Sequence, residues 1–179
     1  MKLIHNALSD DLHQKCVEEI DSNLKKQVWG SSALNWNPQL LEGLSGSCMA
    51  TGPSDDLKTE LEEWLKPQLP PYSELVIQLY VWQPNSGIAI HNDGGHNFGA
   101  TVYLNEVWHP NAGGWFIWKD KETEEWKTIL PEKNLMVVND TREYHLVTSL
   151  SSFASPFRLT LQIWGDPRPE PYKPSLVTK

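Results

Sequence analysis

From Ser73 to Trp164 the chain is written as short β-branched and aromatic runs, each cut off by glycine, proline or asparagine. Such short runs with regular turn signals predict about eight strands. The expected strands are residues 74–82, 88–93, 101–104, 114–118, 126–130, 135–138, 145–147 and 158–164. Two amphipathic helices precede them. The first starts at Ser9-Asp10-Asp11, carries Leu12, Cys16, Val17, Ile20 and Leu24 on one stripe, and ends near Lys26. The second follows Pro53-Ser54, carries Leu57, Leu61, Trp64 and Leu65, and stops before Pro67. The fold class is therefore mainly β with supporting helices (α+β): a jelly-roll or barrel core with the N-terminal helices packed on one sheet.

At 179 residues the chain is expected to be one domain over residues 1–165, followed by a tail, 166–179, whose Pro167, Pro169, Pro171 and Pro174 forbid helix and sheet interior. The N-terminus lacks the apolar core of a signal peptide, and no 18-residue apolar run occurs. Cys16 and Cys48 form no CxxC pair, which fits a reducing, cytoplasmic setting. The formal charge of 15 − 23 = −8 argues against nucleic acid and membrane surfaces as partners.

Two strands have informative parity. In 74–82 the odd positions are aliphatic, whereas the even ones include Gln78, Tyr80 and Trp82. In 158–164 the aliphatic Leu159, Leu161 and Ile163 alternate with Arg158, Thr160, Gln162 and Trp164. Side chains alternate between faces of a strand, so the aliphatic faces are expected under the helices and the polar-aromatic faces inside the barrel. An enclosed guanidinium requires an anion, and no acidic residue shares the strand face of Arg158. A dicarboxylate ligand would supply it.

His91-Asn92-Asp93 is the strongest chemical signal. Residues i and i+2 of a strand share a face, so the imidazole and carboxylate are expected to converge, with His145 as the third ligand. Two histidines and one carboxylate on one face of a metal leave its other positions open, the pattern associated with non-haem Fe(II). A lone His-x-Asp is weak, since Asp93-Gly94-Gly95 also reads as a turn.

The ordered set is far more specific: Tyr80, Gly87, His91-x-Asp93, Thr101-Val102-Tyr103-Leu104-Asn105, Gly113-Gly114-Trp115-Phe116, Pro131 with Leu135-Met136-Val137-Val138, His145-x-Val147 and Arg158-x-Thr160. This run resembles the 2-oxoglutarate/Fe(II)-dependent dioxygenase superfamily and, within it, the prolyl 4-hydroxylase-like branch. The resemblance implies a double-stranded β-helix, with His91, Asp93 and His145 as Fe(II) ligands. It also implies that Arg158 and Thr160 hold the distal carboxylate of 2-oxoglutarate, that Tyr80 donates its hydroxyl to it, and that Gly113-Gly114 bends the chain between strands. O2 would be the second co-substrate, and succinate and CO2 would leave. The substrate implied is a peptidyl residue such as proline, with a free amino acid or other small molecule as the alternative.

Two departures narrow this. Prolyl 4-hydroxylases usually carry Lys where Arg158 stands, and the nucleic-acid demethylase branch carries a second Arg where Trp164 stands. A non-catalytic cupin-like binding module is the rival of another class, although cupins usually present His-x-His.

Nine tryptophans stand beside five tyrosines and four phenylalanines. Trp82, Trp115, Trp118 and Trp164 are expected as walls or core. Trp29 and Trp36 lie in the non-periodic segment 27–53, expected to be loop with possible short strands that folds over the barrel mouth as a substrate lid. His96 is expected to be a plain loop histidine and His109 an exposed turn residue.

Overall fold

The computed structural model describes residues 1–31, 38–44, 46–154 and 157–167. Both expected helices form, α1 over Asp10–Lys26 and α2 over Asp55–Leu65. The Ser9 side chain accepts the Leu12 N–H at 3.2 Å, a cap whose loss typically costs about 1 kcal/mol. The start of α2 is capped from α1 instead: the Glu19 carboxylate accepts from both the backbone N–H and the hydroxyl of Ser54. No helix among the described residues is long and apolar enough to cross a membrane.

Among the described residues eleven strands follow the chain as β1 (Lys2–Ile4), β2 (Gly30–Ser31), β3 (Cys48–Thr51), β4 (Leu75–Trp82), β5 (Ile88–His91), β6 (Phe98–Tyr103), β7 (Phe116–Lys119), β8 (Trp126–Ile129), β9 (Met136–Asn139), β10 (His145–Val147) and β11 (Arg158–Gly165). They form two antiparallel sheets, β1-β9-β6-β11-β4-β3-β2 and β5-β10-β7-β8.

The aliphatic faces of β4 and β11 lie under the helices, as parity predicts. Leu75, Ile77, Leu79, Val81, Leu161 and Ile163 pack with Leu12, Cys16, Ile20, Leu57, Leu61 and Leu65. Each such side chain, fully buried, contributes about 1.5–3 kcal/mol, so this layer holds the helices in place. Two smaller clusters fill the space between the sheets. One joins Tyr103, Phe116, Trp118, Leu135, Val137 and Val147; the other joins Cys48, Tyr80, Trp82, Leu150 and Ala154.

Segment 27–53, expected as loop with possible short strands, contributes two of them, β2 and β3. β3 pairs with β4 in register Cys48↔Trp82 to Thr51↔Leu79, and β2 pairs with β3. Its residues show no period because a short strand beside an edge is ordered by the pairing it receives. Strand β1, which the sequence reading missed for the same reason, pairs with β9. The tail from residue 168 and Trp36 lie outside the described residues.

Candidate metal centre

The two histidines are brought together by strand pairing. β5 and β10 are antiparallel with His145 opposite His91 and Val147 opposite Ile88. Three steps along β5 thus match two along β10, which is a bulge. The extra residue lets Ile88 and His91 both face the interior, while Ile90 stays half exposed. On the other side, β10 pairs with β7, placing Trp118 opposite His145.

Each imidazole is oriented by the main chain. The Nδ1 of His91 lies 2.8 Å from the Ala89 carbonyl, and that of His145 lies 3.0 Å from the Glu143 carbonyl. A carbonyl accepts the ring proton at Nδ1 and leaves Nε2 as a lone pair. Both Nε2 atoms face Asp93: His91 Nε2 is 3.6 Å from Oδ1 and His145 Nε2 is 3.4 Å from Oδ2. Asn139 braces the turn behind His145, donating to the Glu143 carbonyl at 3.1 Å and accepting the Glu143 N–H at 2.9 Å.

Asp93 reaches this point by a route that differs from the expected one. β5 ends at His91, so the carboxylate is not placed by strand alternation. Asp93 has φ 40°, in the left-handed region, and its carbonyl accepts the His96 N–H at 2.9 Å. A tight turn through Gly94 and Gly95 therefore delivers the side chain. Gly99 makes the space, because a Cβ there would stand 2.6 Å from Asp93 Oδ2.

The electrostatics fit a cation. Burial, and after it the neighbouring His145, holds the His91 imidazole down at about 4. Burial alone would push Asp93 up, but His145 and His91 outweigh it and hold the carboxyl below its usual range. A neutral His91 imidazole beside an ionised Asp93 carboxylate is the pattern of protonation that metal ligation requires. All three ligand atoms lie within 4.8 Å of one another, the one such group among the described residues.

A cavity of about 410 Å³ runs from this cluster to Arg158, with Tyr80, Trp82, Gln162 and Trp164 among its walls. Arg158 is fully buried, and among the described residues its three guanidinium nitrogens meet no hydrogen-bond partner. Its charge lies 4.7 Å from the Trp82 ring centre and 5.2 Å from that of Tyr103, whose buried hydroxyl interacts with the guanidinium. Burial lowers the Arg158 pKa, but a guanidinium remains charged in proteins, so an uncompensated cation is aimed into the interior. Gly114 permits this: its φ is +68°, and a Cβ would meet Arg158 Cδ at 3.0 Å.

Thr160 stands beside it with its acceptor capacity used. Its oxygen accepts from Trp82 Nε1 at 2.9 Å and from Gln162 Nε2 at 3.0 Å, and Gln162 Oε1 in turn accepts from Thr101 at 2.8 Å. The Thr160 proton is thus left to donate elsewhere.

Other expected residues fall variously. Tyr80 lines the cavity, as do Trp82 and Trp164. Trp118 is core, and His109 is exposed, its Nδ1 accepting the Asn111 N–H. The expected lid needs correction at Trp29, which packs against the core under the helices; among the described residues of that segment, Leu40, in the 3₁₀ turn Pro38–Leu41, lines the cavity. His96 is not a plain loop residue. It lines the cavity with its ring centroid 5.8 Å from that of Trp164, and its Nδ1 is buried without a partner. The sequence holds no signal for that contact, which arises only when the 93–97 turn folds over β11. Gly99 and Tyr103 were likewise missed as site residues, although parity along β6 was available for Tyr103.

No family model matches the sequence, and no curated protein matches it. By structure, the fold is shared with solved 2-oxoglutarate/Fe(II) oxygenases. A Pseudomonas putida prolyl-4-hydroxylase is 16% identical, with 93% of this chain and 92% of that one covered and a TM-score of 0.67. A Trichoplax adhaerens prolyl hydroxylase, solved with a hypoxia inducible factor oxygen degradation domain peptide fragment, is also 16% identical, covering 92% and 82% with a TM-score of 0.71. SnoN, a non-heme alpha ketoglutarate dependent epimerase from nogalamycin biosynthesis, is 15% identical, covering 93% and 79% with a TM-score of 0.60.

Proposed function

We propose that the chain is a 2-oxoglutarate- and Fe(II)-dependent dioxygenase that hydroxylates a C–H bond of a peptidyl residue such as proline. One observation carries this reading. A buried guanidinium with no carboxylate or other hydrogen-bond partner among the described residues opens on the same 410 Å³ cavity as a histidine–aspartate–histidine cluster. A metal alone would explain the cluster but not the arginine; a dicarboxylate that also binds the metal explains both. The fold shared with prolyl hydroxylases, one of them solved with a peptide, favours the peptidyl substrate. In this reading residues 1–165 form one oxygenase domain and the two sheets are its double-stranded β-helix.

His91, Asp93 and His145 would hold Fe(II), leaving the remaining positions to co-substrate and O2. When bound, iron and 2-oxoglutarate supply the activation of O2: one oxygen atom enters the substrate C–H bond and the other enters succinate as CO2 leaves. The protein binds, orients and shields. Arg158 neutralises the distal carboxylate, with the hydroxyls of Thr160, Tyr103 and Tyr80 as donors to it. Trp82, Phe116 and Val147 keep the cavity apolar and exclude water. Trp164, His96 and Leu40 are left to receive the substrate on the side away from Arg158.

The test is spectroscopic, then chemical. Anaerobic addition of Fe(II) and 2-oxoglutarate should give a metal-to-ligand charge-transfer band that His91→Ala abolishes. Admission of O2 with proline-containing peptides should yield succinate and a peptide heavier by one oxygen atom. Absence of the band from the wild-type protein would overturn the oxygenase reading. A band with oxygen transfer only to free amino acids would overturn the peptidyl substrate alone.

A further inference from the structure

The turn that presents Asp93 is fastened at its far end to the last strand of the large sheet. The Asn97 N–H donates to the Gly165 carbonyl at 2.9 Å, and the Asn97 side-chain amide donates to Oδ2 of Asp166 at 2.9 Å. The other oxygen of Asp166 accepts three bonds from the start of β4: Ser73 N–H at 2.8 Å, the Ser73 hydroxyl at 2.8 Å and Glu74 N–H at 2.9 Å. Its own N–H donates to the Glu74 carbonyl at 2.9 Å. One carboxylate thus ties together the end of β11, the chain entering β4 and the loop leaving the metal cluster.

The packing leaves this junction little freedom. A Cβ on Gly165 would stand 2.1 Å from the Phe98 ring, so Phe98 lies directly on the Gly165 backbone. Asp166 itself has φ 48°, a conformation that persists where surrounding bonds over-determine it.

Asp93 needs such a tether. It sits outside any strand ladder, also at positive φ, and the two residues that follow it are the glycines 94 and 95, which by themselves hold no conformation. On the N-terminal side the turn is held by β5 through His91. On the C-terminal side Asn97 meets Gly165 and Asp166, while His96 N–H closes the turn on Asp93.

We infer that Asn97 and Asp166 are positioning residues of the metal centre: the amide–carboxylate bond between them latches the 93–97 turn and so sets the Asp93 carboxylate against His91 and His145. This rests on the reading of those three residues as metal ligands. Neither latch residue touches the metal position; both act through the turn.

The test uses Mn(II), a redox-quiet divalent probe, titrated calorimetrically into the full-length protein, with thermal unfolding recorded alongside. Asn97→Asp sets two carboxylates face to face and should weaken Mn(II) binding about tenfold, within the usual range for residues that orient ligands. The exchanged pair, Asn97→Asp with Asp166→Asn, restores a donor opposite an acceptor and should bring the affinity back to within about threefold of wild type. A simple charge effect has the opposite sign, because an added carboxylate near a cation site tightens it.

Unchanged or tighter Mn(II) binding by Asn97→Asp would overturn the latch, as would an exchanged pair that folds with wild-type thermal stability yet stays as weak as the single variant. Should Asn97→Asp fail to fold, Asn97→Ala removes the bond without repulsion and should still weaken Mn(II) binding about threefold; no weakening would overturn the latch. His91→Ala separates the two readings. If it leaves Mn(II) binding unaltered, the metal assignment falls and the latch with it. If it abolishes binding while the Asn97 variants bind normally, only the latch falls.

Discussion

His91 and His145 stand opposite each other across β5 and β10 with ring centroids 4.2 Å apart, each Nδ1 held by a backbone carbonyl. Two imidazoles so close cannot both be protonated without strong repulsion, and Asp93 closes the triangle with a single negative charge. The arrangement is poised for a divalent cation.

Asp93→Asn keeps the shape of this ligand and removes its charge. Divalent-metal affinity should fall by roughly 100-fold, about 2.7 kcal/mol, as expected for loss of a strong charge-assisted contact. Anaerobic Fe(II) titration checks it, and near-wild-type affinity would exclude Asp93 as a ligand.

Arg158→Met should move two measurements in opposite directions. Without ligand, the variant loses an unpaired buried charge and should be more stable by about 1 kcal/mol, a rise of roughly 2–4 °C in Tm. With 2-oxoglutarate, the wild-type protein should gain about 2.7 kcal/mol at 100 times Kd, and the variant should gain almost none. Thermal scans with and without 2-oxoglutarate decide between this and a structural role, in which the ligand-free Tm would drop.

Gly99→Ala brings a methyl group to within 2.6 Å of Asp93 Oδ2. The carboxylate must rotate away, so metal binding should weaken about tenfold while far-UV circular dichroism stays unchanged. The same substitution at Gly52, where a Cβ meets nothing within 4 Å, is the control.

Acid should destabilise the metal-free protein, in part through His13. This histidine is buried on α1 with Nε2 unpartnered, and burial, then the nearby Lys133, lowers its pKa from 6.5. The folded pKa lies below the unfolded one, so the unfolded chain takes up the proton first and stability declines as pH falls below about 6.5. His91 and His96 are shifted the same way. Tm recorded from pH 7.5 to 5 should therefore fall, and His13→Leu should fall less steeply; identical slopes would remove His13 from the account.

The parity of β4 and β11 was legible because alternation is a local property: a strand with Leu79 and Val81 on one face must put Tyr80 and Trp82 on the other. The helices were legible for the same reason, since the stripes ending at Leu24 and Leu65 meet the large sheet, except at Trp64, which stays half exposed and donates its indole N–H to the Ala7 carbonyl. His91, Asp93 and His145 were legible as residues but not as geometry. Strand alternation was the expected means of convergence, whereas a bulge in β5 and a left-handed turn at Asp93 achieve it. The expected lid failed at Trp29, because burial of an indole is decided by which layer the chain crosses, and the chain between α1 and β2 sets it against the helix-side core.

The sequence by itself determined the antiparallel β class, the two helices, which strand faces are apolar, and the residue types able to bind a metal and an anion. Each of these is set by spacing within one segment. Only the tertiary structure decided that Arg158 meets no carboxylate among the described residues, that His96 joins Trp164 at the cavity, and that Asn97 and Asp166 fasten the Asp93 turn. The physical reason is that an unpaired charge, a ring contact and a latch are relations between distant segments. They exist only once strands far apart in the chain have paired and excluded water from the space between the sheets.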